Sequence, residues 1–175
     1  MIEVLTMKYD FSRQTAFDRP IDIYIQNNTD KDFTLVKTEL QSGMIYSNAQ
    51  PPQLIKAGGK GYFKGDQTGL VGSSGFVTYN TKLGDTTVYL TFYWSHPEGN
   101  IDSIYYGYSS PFGLFFVTPK DNYDPNHLPT NQKFKVKDWI TNEYSEQNML
   151  TLNPPEHISQ SVTYLVQYSL GHKAV

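Results

Sequence analysis

Side chains able to do covalent or metal chemistry are few, and their spacing does not suit it. The four histidines, His96, His127, His157 and His172, form no H-x-x-x-H pair or comparable ligand spacing. Cysteine is absent, which removes thiolate nucleophiles, disulfides and Cys-based zinc sites. No G-x-S-x-G elbow presents a serine nucleophile. Gly58, Gly59, Gly61 and Gly65 have the density of a phosphate loop, but no G-K-[ST] follows and no helix opens there. They read as turn and bulge glycines. Asp121-Asn122-Tyr123-Asp124-Pro125-Asn126 places oxygen ligands close together, yet it lacks the EF-hand glycine and terminal glutamate and reads as a solvated loop. The expectation is a protein that is not an enzyme and needs no cofactor or metal.

Aromatic rings are abundant instead: 14 Tyr, 10 Phe and 2 Trp in 175 residues. Tyr89, Tyr93, Trp94, Tyr105, Tyr106 and Tyr108 fall close together and form the candidate binding neighbourhood, with Phe112 adjoining. An outward tyrosine offers an apolar ring with a polar tip, which suits a membrane interface or the face of a sugar. Tyrosine is equally a good strand former on a half-wet sheet. Trp94 shares the parity of Val88, Leu90 and Phe92 and so is also a core candidate.

The elements that must carry these rings read as strands. Ile21, Ile23 and Ile25 alternate with Asp22, Tyr24 and Gln26, the period of a half-buried strand. Asn27-Asn28-Thr29-Asp30 supplies turn chemistry before Phe33 to Val36. It also spells a glycosylation sequon, which matters only on export. Phe76 to Tyr79, the turn Leu83-Gly84-Asp85 and Thr86 to Trp94 read as an antiparallel hairpin. Ile104 to Tyr108, Leu114 to Val117 and Val162 to Tyr168 are further strands. The polar stretch from Pro119 to Pro155 reads as a loop-rich insertion, holding an apolar segment from Phe134 to Trp139 and a short helix near Asn142 to Met149. The fold class expected is all-β: one antiparallel β-sandwich over residues 1–175, with residues 1–20 an N-terminal extension and 119–155 an insertion.

Lys and Arg number 14 against 17 Asp and Glu, a net charge of −3, which argues against nucleic acid as a partner. A chain of this length buries roughly 70% of its extended surface, enough for a core without staples. No run approaches about 18 apolar residues, so no transmembrane helix is readable. Met1 to Pro20 carries Glu3, Lys8, Asp10, Arg13, Asp18 and Arg19 where an apolar signal core would lie. The expected routes are non-standard secretion or storage as an inclusion, with action at a target membrane.

A run of motifs then carries a resemblance. Gly72-x-x-Gly75-Phe76-x-x-Tyr79-Asn80, Gly84-Asp85-Thr86 and Tyr93-Trp94-x-x-Pro97-x-Gly99 resemble the central region of the aegerolysins. Ile23-x-Ile25-x-Asn27-Asn28 and Ser42-Gly43-x-x-Tyr46 are similar to that family's N-terminal strands. Val162-Thr163-Tyr164 to Gly171-His172-Lys173 is similar to the tail of the small subunits of bacterial binary insecticidal crystal proteins, which belong to the same family. The likeness covers Pro20 to Gly107 and the last dozen residues. It departs at Ser95, where the family carries Asp, and at Glu98, where it carries Trp, both in the region where the family meets lipid. A weaker resemblance runs to the actinoporins, although Leu5, Met7, Tyr9 and Phe11 alternate with period two, unlike an insertion helix.

The resemblance implies a small sandwich that recognises a membrane lipid headgroup, sphingolipid or zwitterionic, and takes part in pore formation with a larger partner protein. A homo-oligomer stays open. Tyrosine rings would grip a choline or ethanolamine ammonium through cation–π contacts of about 0.5–2 kcal/mol each. The rival expectations are a glycan-binding lectin, since the same rings stack on sugars, and a non-toxic crystal or inclusion protein.

Overall fold

The computed structural model describes residues 19–97, 104–110, 115–119, 129–152 and 161–168. The period-two segments of the sequence become strands: β1 (Ile21–Asn27), β2 (Phe33–Ser42), β3 (Met44–Ile45), β4 (Leu54–Ile55), β5 (Lys60–Asp66), β6 (Ser73–Leu83), β7 (Thr86–His96), β8 (Ile104–Ser109), β9 (Phe115–Pro119), β10 (Pro129–Lys137), β11 (Tyr144–Leu152) and β12 (Ser161–Tyr168). They form a β-sandwich of two sheets, a smaller one in the order β3-β5-β1-β12-β9 and a larger one in the order β10-β11-β8-β7-β6-β2-β4. Among the described residues no helix is long and apolar enough to cross a membrane.

Parity decides the core. Ile21, Ile23 and Ile25 of β1, Phe63 of β5 and Val162, Tyr164 and Val166 of β12 face Val77 and Tyr79 of β6, Val88, Leu90, Phe92 and Trp94 of β7, and Ile104 and Tyr106 of β8. The rings meet edge to face: Phe63 and Trp94 lie 5.2 Å apart at 68°, and Tyr106 and Tyr164 lie 6.3 Å apart at 67°. The β6–β7 hairpin turns through Gly84 and Asp85, with Leu83 opposite Thr86 and Gly84 at φ 63°, the left-handed conformation that a type II′ turn requires at its first position.

The expected antiparallel β-sandwich is observed, with one parallel pair among the described strands, β1 and β12, from Asp22 opposite Ser161 to Asn27 opposite Val166. Two expectations within it are corrected. No helix forms near Asn142 to Met149; these residues lead into and form β11, which pairs with β10 on one side and β8 on the other. The stretch expected as a loop-rich insertion therefore holds a hairpin that extends the larger sheet. Its short-range pattern is ambiguous alone, and pairing with Ile104 to Tyr106 settles it as a strand. Residues 1–18 of the expected 1–20 extension, the Asp121–Asn126 loop, Phe112 and three of the histidines, His127, His157 and His172, lie outside the described residues.

The sequon is closed to chemistry. Asn27 is fully buried, its Nδ2 donating to the Lys31 carbonyl at 2.6 Å while its Oδ1 accepts from the Thr29 hydroxyl at 2.6 Å and the Thr29 amide at 3.0 Å. It ties the β1–β2 turn together and presents no free amide.

Candidate functional site: a groove under the hairpin

The outer face of the larger sheet is not left bare. β10 alternates Lys133, Phe134, Lys135, Val136 and Lys137, and this pattern turns Phe134 and Val136 inward and leaves Lys133 and Lys135 exposed. The inward pair coils over β7 and β8 and forms a second, smaller core with Tyr93 and Met149, against which Phe76 and Tyr105 pack. Phe134 stacks on Tyr93 with ring centres 5.0 Å apart and 21° between planes. The seat for that ring is Gly107, directly opposite Tyr93 on β8. A Cβ there would lie 2.3 Å from the Phe134 ring, so only glycine permits the approach.

The hairpin turn is built locally. The Asp138 carboxylate accepts from the amides of Ile140 at 2.8 Å and Thr141 at 3.2 Å, the signature of an Asx turn. The Asn142 amide donates to the Asp138 carbonyl at 2.8 Å, and Asn142 takes φ 61°. This turn presents Trp139, Ile140 and Tyr144 together. Ile140 is 72% exposed and Tyr144 63% exposed. Trp139 lies back on Tyr89 of β7, with centres 5.7 Å apart and planes 18° apart, and the Lys137 ammonium sits 4.3 Å from the Trp139 ring centre.

Between hairpin and sheet runs a groove of two adjoining cavities. One, of about 200 Å³, is lined by Tyr89, Thr91, Val136, Trp139, Ile140 and Gln147. The other, of about 100 Å³, is lined by Lys37, Gln41, Phe76, Thr78, Lys135 and Tyr144. Thr91, Lys137 and Trp139 border both. The floor is polar: the Thr78 and Thr91 hydroxyls bond at 2.9 Å, and the Tyr93 hydroxyl donates to Gln41 Oε1 at 2.5 Å. A larger depression of about 580 Å³ opens to solvent between the β1–β2 and β6–β7 turns, but the carboxylates on its wall are engaged. Asp30 accepts from the Tyr168 hydroxyl and Asp32 from the Ala57 amide.

The six rings expected to form the site separate. Tyr89 lines the groove. Tyr93, expected outward, has the outward parity but is buried under Phe134. Its hydroxyl is held above the usual tyrosine range by desolvation. Trp94 is fully buried between the sheets, its indole N–H donating to Ser73 Oγ at 3.2 Å. Tyr106 is likewise buried, against Tyr164. Tyr105 and Tyr108 are half-buried, the first against the smaller core and the second against the main one. Trp94 thus takes the core place its parity offered, while Tyr106 lies in the core and Tyr93 in the seat of the hairpin, neither outward. Trp139, Ile140, Tyr144 and Lys137, all in the expected insertion, line the groove and its tip. The signal for them was the Lys-Phe-Lys-Val-Lys alternation, which marks a strand with one covered face.

A second aromatic pair lies on the outer face of the smaller sheet. Tyr24 and Tyr62 are 5.0 Å apart, and the Tyr62 hydroxyl donates to Asp22 at 2.7 Å. No cavity accompanies it among those described.

No family model and no curated protein sequence matches the chain. Its fold is similar to that in the crystal structure of RahU protein in complex with a TRIS molecule, with a TM-score of 0.53 over 86% of this chain and 96% of that one, at 11% identity. At that identity the likeness extends to the β-sandwich fold and no further.

Proposed function

We propose that this protein binds membrane lipid headgroups through the groove under the β10–β11 hairpin, and serves as the membrane-recognition component of a pore-forming system completed by a partner protein. The observation that carries the reading is the hairpin tip, where Ile140 and Tyr144 stand exposed beside Trp139 at the mouth of the groove. Isoleucine dips into acyl chains, while Tyr and Trp favour the headgroup level, so this tip can enter an interface without any transmembrane segment. The groove behind it supplies hydroxyls and amides for headgroup contacts. The partner in pore formation rests on the aegerolysin resemblance of the sequence.

Flotation with vesicles of phosphatidylcholine, sphingomyelin, ceramide phosphoethanolamine and neutral glycolipid, and of phosphatidylcholine doped with phosphatidic acid, tests the proposal. Binding is expected to at least one composition and to weaken about tenfold or more in Ile140→Glu, which forfeits the burial of one large apolar side chain. No binding to any vesicle, or unchanged binding in Ile140→Glu with native circular dichroism, would refute it. Binding to a glycan array in place of vesicles would assign the Tyr89–Trp139 wall to sugar stacking instead.

A further inference from the structure

Resting on that reading of the groove, we infer that its ligand is a phosphate group without an ammonium of its own, as in a phosphomonoester, and not a choline-type cation. Three observations lead there. First, the Trp139 ring is already taken. Trp139 stacks on Tyr89, and the Lys137 ammonium lies 4.3 Å from its ring centre. A ligand ammonium entering here would meet a cation where it needs an open π face. An anion would be attracted by the same lysine.

Second, the charge balance around the inner cavity is positive. Lys37, Lys135 and Lys137 line it against one carboxylate, Glu39. Glu39 is committed to Lys37, Oε2 to Nζ at 2.8 Å. Asp138, on the neighbouring wall, spends Oδ1 on the turn amides of Ile140 and Thr141. Among the described residues neither Lys135 nor Lys137 stands in an ion pair. Two ammonium groups thus border one small space while the whole chain carries −3.

Third, a donor waits without an acceptor. The Thr78 and Thr91 hydroxyls, on residues that line the inner cavity, share one hydrogen bond, which leaves a second hydroxyl proton to donate. Two ammonium groups and a hydroxyl suit a tetrahedral oxyanion. The inner cavity of about 100 Å³ has room for one.

The source of the phosphate, a lipid headgroup or a free phosphate, is decided by experiment. The indole region of a nitrogen–proton correlation spectrum holds two signals, and Trp139→Phe identifies which is which. Titration with inorganic phosphate is expected to shift the signal of Trp139, which lines the cavity, and leave that of Trp94, bonded to Ser73, in place. Vesicles of phosphatidylcholine doped with phosphatidic acid should bind about tenfold tighter than phosphatidylcholine alone, and Lys137→Gln should abolish that difference while Lys137→Arg keeps it. A phosphate-induced shift without vesicle binding would uphold the phosphate assignment and sink the membrane reading. Equal binding to both vesicles with an unmoved Trp139 signal would overturn the phosphate assignment and leave the membrane reading standing. Silence in both would end both.

Discussion

Replacing Gly107 by alanine is the sharpest test of how the groove is held. The added Cβ would lie 2.3, 2.6 and 2.9 Å from three atoms of the Phe134 ring, where carbon atoms prefer about 3.5–4.0 Å. The ring is pinned from the side by Tyr93 at 5.0 Å and is 3% exposed, so it has to lift. Lifting forfeits about 1.5–3 kcal/mol of burial and about 0.5–1.5 kcal/mol of ring–ring interaction. Against that, alanine restricts the unfolded chain and returns about 0.4–1 kcal/mol. The net expected cost of Gly107→Ala is roughly 1–4 kcal/mol. With Phe134→Ala already present no ring stands in the way, and the same change should cost nothing or stabilise slightly. A double-mutant cycle by urea unfolding measures that coupling. Hydrogen exchange at residues 133–137 reports whether the hairpin alone lifts from the sheet. An equal cost of Gly107→Ala in both backgrounds would show that the hairpin is not seated on Gly107, and the account of the groove would fail with it.

Two further perturbations probe the scaffold. Tyr164 is fully buried and donates its hydroxyl to the Tyr93 carbonyl, and burial holds the ionisation of Tyr164, Tyr79 and Tyr93 above the ordinary tyrosine value of 10.0. The unfolded chain then loses these protons first, so stability is full below pH of about 10 and falls as pH rises beyond it. The urea midpoint should follow that course, and Tyr164→Phe should cost about 1 kcal/mol at neutral pH while flattening the alkaline decline; an unchanged decline would place the titration elsewhere. Asn27→Ala strips the β1–β2 turn of its buried amide and is expected to cost about 2–3 kcal/mol in thermal or urea unfolding. A cost near zero would mean that the turn holds itself.

Much of the scaffold was legible from alternation alone. Ile21-x-Ile23-x-Ile25 and Val88-x-Leu90-x-Phe92-x-Trp94 name their buried parity without reference to any neighbour, because adjacent side chains on a strand point to opposite faces. The turn at Gly84-Asp85 was equally plain, since left-handed backbone selects glycine. What alternation could not supply is the fate of the other parity. Tyr89 and Tyr93 stand four residues apart on one face of β7, yet one lines a groove and the other lies under Phe134. The cover comes from a strand about forty residues downstream, and it could settle only where Gly107 leaves room for a ring. Likewise the residues from Asn142 to Met149, polar and short, carry no decisive period; pairing of β11 with β8 makes them strand. The sequence alone determined which side chains each strand could turn inward, because that depends on the local pleat. Only the tertiary structure decided which outward rings stay in contact with solvent and which cations meet at Trp139, because both depend on how a distant hairpin coils back over the sheet.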